Sequence, residues 1–116
     1  MTDGYNGWTN RETWATMLHI DNDQALLEIA MDYARTAREE HRNDDTSDPE
    51  ACLSMAIYCL QETLKMWLEE DLLTRENIAG NQGLWLMLSD IGSLYRVNWR
   101  EIADSLISNV KEEVSA

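Results

Sequence analysis

The stretch PEACLSMAIYCLQETLKMWLEEDLL, residues 49–73, carries the longest uninterrupted helical pattern in the chain. Cys52, Ala56, Cys59, Leu60, Thr63 and Trp67 recur at intervals of three and four, and Leu53, Ile57, Leu64 and Leu68 widen the stripe. Side chains at these spacings share one face of a helix. A stripe this wide needs neighbours on several sides, which predicts the central helix of a bundle. Asp48 stands before it as an N-cap, with Pro49 at the first helical position, where a missing N–H costs nothing. At the far end Glu69, Glu70 and Asp71 place negative charge in the last turn. That opposes the helix dipole by roughly a few tenths of a kcal/mol. Local inconsistencies of this kind are expected at functional places.

Toward the N-terminus, HRNDDTSDPE (41–50) holds the single proline in a polar run and reads as a loop. Before it, Leu26, Ala30, Tyr33, Ala34 and Ala37 keep helical spacing, with Glu28, Asp32, Arg35 and Glu39 opposite, predicting an amphipathic helix over about 23–41. Asp21, Asn22 and Asp23 break a shorter helix near 10–20, whose stripe is Trp14, Met17 and Leu18, and cap the next one. Thr9-Asn10-Arg11-Glu12 fits a capping box: the Thr9 hydroxyl takes the Glu12 N–H, and Glu12 reaches back to Thr9. Trp8, just before that cap, is placed to staple onto Trp14 or Met17. Gly7 permits a tight approach into the helix.

Toward the C-terminus, TRENIAGNQG (74–83) reads as a turn region with two glycines, and LWLMLSDIGSLY (84–95) as a buried helix, apolar nearly all round. A strand over Leu84 to Leu88 would find nothing else in the chain to pair with. Asn98-Trp99-Arg100-Glu101 repeats the capping logic, and Trp99, Ile102, Ala103, Leu106, Ile107 and Val110 then keep strict helical spacing. The expectation is all-α: one domain over residues 1–116, a compact bundle of about five helices around the long one.

At 116 residues and 44% apolar content, the chain can bury a core without staples. No apolar run approaches the roughly 20 residues of a membrane span. The polar N-terminus carries no secretory signal, so a cytoplasmic protein is expected. Cys52 and Cys59, seven apart on one helix, lie about 10 Å apart along its axis, too far for a disulfide. Both are expected as reduced, buried and inert thiols.

Charge is the strongest global signal. Twenty-two acids face nine bases, a net of −13, and only Lys65 and Lys111 are lysines. Such a chain is repelled by nucleic acid and by anionic membranes and drawn to basic surfaces. Solubility, or a salt-rich cytoplasm, accounts for the same excess. Trp8, Trp14, Trp67, Trp85 and Trp99 suggest base stacking, but single-strand binders also need a basic groove. The tryptophans are therefore read as core or as a protein-contact surface.

Catalytic and metal chemistry finds little footing. After Asp21-Asn22-Asp23, Ala25 and Leu26 stand where a calcium loop needs a ligand and a glycine. His19 adjoins that cap, and His41 reads as a solvated helix end. Neither cysteine lies near a histidine in sequence, and no glycine-rich strand-to-helix loop is present for phosphate. No catalytic residue, cofactor or metal ligand is assigned, and a non-enzymatic protein is expected.

YNGWTNRETW (5–14), followed by LHIDND (18–23), resembles the opening signature of a family of small uncharacterised proteins from phages, plasmids and archaeal mobile elements. Members of that family read close to N-G-W-T-N-Y-E-T-W, then an apolar stretch ending in D-N-D. VNWREIADSLI (97–107) resembles their closing helix. The likeness covers roughly a third of the chain, and 40–90 shows no match. Arg11 stands where many members carry an aromatic. The resemblance implies a setting, mobile DNA, and no reaction. Trp8, Thr9, Glu12, Trp14, Asn98, Trp99 and Glu101 are read as the structural motif.

Two functions follow as expectations. The first is an anti-defence protein that occupies the basic nucleic-acid cleft of a host restriction or CRISPR-type complex, without binding nucleic acid itself. Its expected contacts are Glu39, Glu40, Asp44, Asp45, Asp48 and Glu50, then Glu69, Glu70, Asp71 and Glu76. The second is a structural or regulatory protein, monomer or homodimer, that binds through an apolar patch and whose acidity reflects cellular salt.

Overall fold

The Asp48 carboxylate accepts the Glu50 N–H at 3.2 Å and starts the helix α3 (Pro49–Met66) with Pro49 in its first turn. Before it come α1 (Arg11–Asp21) and α2 (Gln24–Glu40); after it come a π-helical turn (Trp67–Leu72), α4 (Arg75–Ala79), α5 (Gln82–Ile91), a 3₁₀ turn (Leu94–Arg96) and α6 (Trp99–Ser115). The computed structural model describes residues 7–41 and 48–115, with side chains up to 110. Among the described residues the fold is an all-α bundle of six helices, one more than the sequence suggested.

The core is a three-helix packing of α2, α3 and α6. The strict spacing of α6 buries Trp99, Ile102, Ala103, Leu106, Ile107 and Val110, against Ala30, Ala34 and Ala37 of α2 and Ala56, Leu60 and Leu64 of α3 in the same cluster. Alanine along α2 allows close approach of its neighbours. Tyr33 meets Trp67 edge to face, ring centres 5.6 Å apart. A second layer, α1, α4 and α5, packs on one side: α1 touches α2, α5 and α6, and α5 touches α1 and α4.

Asp23 caps α2 as expected, its carboxylate accepting the Leu26 N–H at 3.1 Å. Asn98 caps α6 through the Glu101 N–H at 3.1 Å. Four expectations need correction. The helix of 49–73 changes winding at Trp67, where Leu73 N–H reaches back five residues to Leu68 O. This wider turn seats the neighbours Trp67 and Leu68 both in the core. The turn region 74–83 contains α4, started by Thr74 accepting the Asn77 N–H. The helix over 84–95 stops at Ile91, because Gly92 takes φ +88°, a left-handed value that ends a helix at little cost only for glycine. And that helix is not buried: only Met87 and Ile91 are, while Trp85 and Leu86 are 52% and 50% exposed.

Candidate functional site

The N-terminal motif and the start of α6 form one hydrogen-bonded clasp. The N-cap of α1 is Asn10, not Thr9: Asn10 Oδ1 accepts the Thr13 N–H at 2.9 Å and the Thr13 hydroxyl at 2.7 Å. Thr13 Oγ1, wholly buried, accepts the Asn98 N–H at 2.8 Å. In return Glu101 Oε1 accepts the Thr9 N–H at 3.0 Å, and Asn10 Nδ2 donates to Arg96 O at 2.8 Å. A capping box closes within one helix; here each helix start closes the other, across more than 80 residues. Glu12, released from the expected box, lies 3.4 Å from Arg96 Nε. Trp8 and Trp14 are half-buried against the core. These contacts give the motif a structural role, with different partners from those the sequence suggested.

A second polar cluster ties α5 to α1. Asp90 Oδ1 lies 2.7 Å from Arg11 Nη2, Asp90 Oδ2 lies 2.9 Å from His19 Nε2, and Arg11 Nη1 also donates to the Asp90 carbonyl. The hydrogen bond from His19 is the largest influence on the Asp90 carboxyl; burial opposes it, and the bond and charge of Arg11 add to it, so the carboxyl is held below its ordinary value. His19 is thus a helix-pairing residue. Nothing in sequence linked it to Asp90, 71 positions away. Among the described residues, no three His, Cys, Asp or Glu side chains gather to hold a metal ion.

The acids singled out by sequence fall into two groups. Glu39, Glu40, Asp48 and Glu50 are exposed at the α2–α3 end; Asp44 and Asp45 lie outside the described residues. Glu70, Asp71 and Glu76 are exposed at the other end. Glu50 and Glu70 are separated by about 30 Å of helix. Asp48 and Glu50 also serve the start of α3, where negative charge is favourable. Glu69 differs from its neighbours: it is half-buried, and its Oε2 is buried without a hydrogen-bond partner. The carbonyls of Asp71 and Leu72, left over by the π-helical turn, accept from Asn77 Nδ2 at 2.7 and 3.1 Å.

Between the two acidic ends, Met55, Tyr58 and Met66 stand exposed on one face of α3, with Glu62 among them. The sequence hid this stripe, because an α3 apolar over most of its circumference looks enclosed whether or not a neighbour covers every side. The cysteines are also unlike each other: Cys52 is buried, whereas Cys59 is half-buried and its Sγ lies 3.2 Å from His41 Nε2. The fold brings together a cysteine and a histidine that sequence placed apart.

No helix among the described residues is long and apolar enough to cross a membrane. No curated protein and no solved structure matches the chain. A family profile matches residues 1–114, nearly the whole length. The chain therefore belongs to the family of unknown function DUF7249.

Proposed function

We propose that the protein is a non-enzymatic, acidic docking module of mobile genetic elements that binds a basic surface on a host protein, the nucleic-acid cleft of a restriction or CRISPR-type complex. The observation that carries this reading is the layout of charge along α3. Exposed carboxylates stand at both ends, about 30 Å apart, and Lys65 is the sole base between Pro49 and Leu72. A cleft built for nucleic acid presents lysines and arginines to phosphates, and its attraction weakens steeply with salt. Carboxylates spread over a comparable length can engage the same bases. Exposed Met55 and Tyr58 between them supply apolar contact area that phosphate lacks.

The test is inhibition of a panel of purified restriction and CRISPR-type complexes by wild type and by the variant Glu40→Gln/Glu50→Gln/Glu70→Gln/Asp71→Asn. This set spares half-buried Glu69. Wild type is expected to compete with nucleic acid and to lose its grip as salt rises, and the variant to inhibit more weakly at low salt. Inhibition of none of the panel, or equal inhibition by the variant at every salt concentration, rejects the proposal. The second reading, an acidic helper in a salt-rich cytoplasm that docks or dimerises through apolar surface, draws support from Trp85 and Leu86, half exposed on α5. It predicts salt-insensitive association that Trp85→Ser abolishes.

A further inference from the structure

His41 closes the C-terminus of α2. Its N–H donates to Ala37 O at 3.2 Å, and Arg38 Nη1 donates to its carbonyl oxygen at 3.1 Å, so the backbone of the residue is held on both sides. Cys59 lies in the middle of α3, where the regular helix and the bond from Thr63 Oγ1 to Cys59 O at 2.9 Å hold it in place. The α2–α3 packing then brings His41 Nε2 to 3.2 Å from Cys59 Sγ. Both residues are half-buried, so the pair is partly open to solvent; Cys52, one α3 site seven residues earlier, is buried.

We propose that Cys59 and His41 form a thiol–imidazole pair that captures small neutral or cationic disulfides as mixed disulfides on Cys59. A thiol becomes a nucleophile by losing its proton, and the group that takes the proton must lie within hydrogen-bond reach. His41 Nε2 does. Cys59 Sγ attacks one sulfur of the disulfide RSSR; a new S–S bond forms as the old one breaks. Cys59 is oxidised and the departing sulfur is reduced. The proton passes from Cys59 to His41 Nε2 and then to the departing thiolate, so the products are the mixed disulfide and RSH. Charge selects among disulfides: Glu39 and Glu40 on the last turn of α2 and Glu62 on α3 are exposed around the pair, within a net charge of −13. Among the described residues, Arg38 is the neighbouring cation, engaged with the His41 carbonyl. That field disfavours an anionic disulfide. The site is independent of the docking proposal and needs no partner protein. Cys59 stands one helical turn from Met55 and from Glu62, so a captured group lies beside the exposed stripe of α3.

The full chain is incubated with cystamine, a cationic disulfide, or with oxidised glutathione, an anionic one, and adducts are timed and located by mass spectrometry. Cystamine is expected to add once, on Cys59, at an unchanged rate in Cys52→Ser and not at all in Cys59→Ser. His41→Gln should slow capture by about tenfold or more, with circular dichroism showing a retained fold. Oxidised glutathione should react about tenfold more slowly than cystamine. An adduct on native Cys52, or a folded His41→Gln that reacts as fast as wild type, overturns the proposal. So does a wild-type Cys59 rate below that of N-acetylcysteine at the same pH, a comparison that needs no variant.

Discussion

Replacing Thr13 by valine isolates the clasp between the two ends of the fold. Valine keeps the branched shape of a side chain that is wholly buried, and removes only the hydroxyl. Two hydrogen bonds go: the one Thr13 Oγ1 donates to Asn10 Oδ1 and the one it accepts from the Asn98 N–H. Asn10 Oδ1 keeps a donor, the Thr13 N–H at 2.9 Å. The Asn98 N–H has no such alternative. A lost bond costs about 0.5–1.5 kcal/mol, and a donor left unpaired away from water about 1–3 kcal/mol. The second case dominates, so the substitution should cost about 2 kcal/mol. At roughly 2 cal/mol/K of unfolding entropy per residue, that lowers the thermal midpoint of a chain of this length by about 8 °C. Thr9→Ala is the contrast. Its hydroxyl receives only a 3.4 Å contact from Asn98 Nδ2, and the bond from its N–H to Glu101 survives. The expected change is within about 0.5 kcal/mol. Urea unfolding followed by tryptophan fluorescence and by circular dichroism measures both. If Thr9→Ala costs about 1 kcal/mol, the usual loss for a cap, while Thr13→Val costs almost nothing, the first helix starts with the box suggested by sequence and the clasp is wrong.

Three more outcomes are expected. The Asp90 carboxyl is held below its ordinary value of 3.8, so its contribution is complete above that value and is lost as pH falls through the folded one; urea midpoints of wild type should fall more between pH 5 and pH 2 than those of Asp90→Asn. Gly92→Ala should cost about 1–2 kcal/mol in the same unfolding assay, since φ is +88° and no atom beyond its chain neighbours lies within 4 Å of the added carbon, leaving backbone strain as the effect. With a net charge of −13, the thermal midpoint should rise with added NaCl as screening shortens from about 30 Å at 0.01 M to about 10 Å at 0.1 M; a docking module stays folded at the lower salt, whereas a chain adapted to a salt-rich cytoplasm unfolds there.

Periodicity read the helices well where one face is buried and the other wet. α6 is the plainest case, since each residue of its predicted stripe is in the core. The Asp48–Pro49 and Asp23 starts were legible because a cap is a contact between near neighbours. The first helix start slipped by one residue for a local reason. Thr9 with Glu12 and Asn10 with Thr13 are overlapping cap patterns, and the choice between them is made by Asn98 and Glu101, far along the chain. α5 was read as buried because a hydrophobic pattern reports what a helix would bury and not whether a neighbour is there to cover it. α4 is too short for periodicity to show; only Thr74 with Asn77 marks it. Of the candidate site, the acidic ends were visible as composition. Their separation along α3 follows from helix rise alone, whereas the exposure of the stripe between them and the Cys59–His41 contact are products of tertiary packing.

The clasp also bears on the order in which the molecule can complete itself. Residues 9–13 leave the ribosome well before the groups that satisfy them, Arg96 O, the Asn98 N–H and Glu101, which stand just before and within the first turn of α6. A growing chain that has reached Ile91 contains α1 to α5 but lacks α6, whose apolar face supplies much of the core. Contacts between residues this distant in sequence slow folding, because the long loop must close before it gains anything. The bundle therefore behaves as a purse drawn shut by a late string: α1 has its local cap and its packing on α2 and α5 beforehand, but the bonds of the clasp close only once α6 docks.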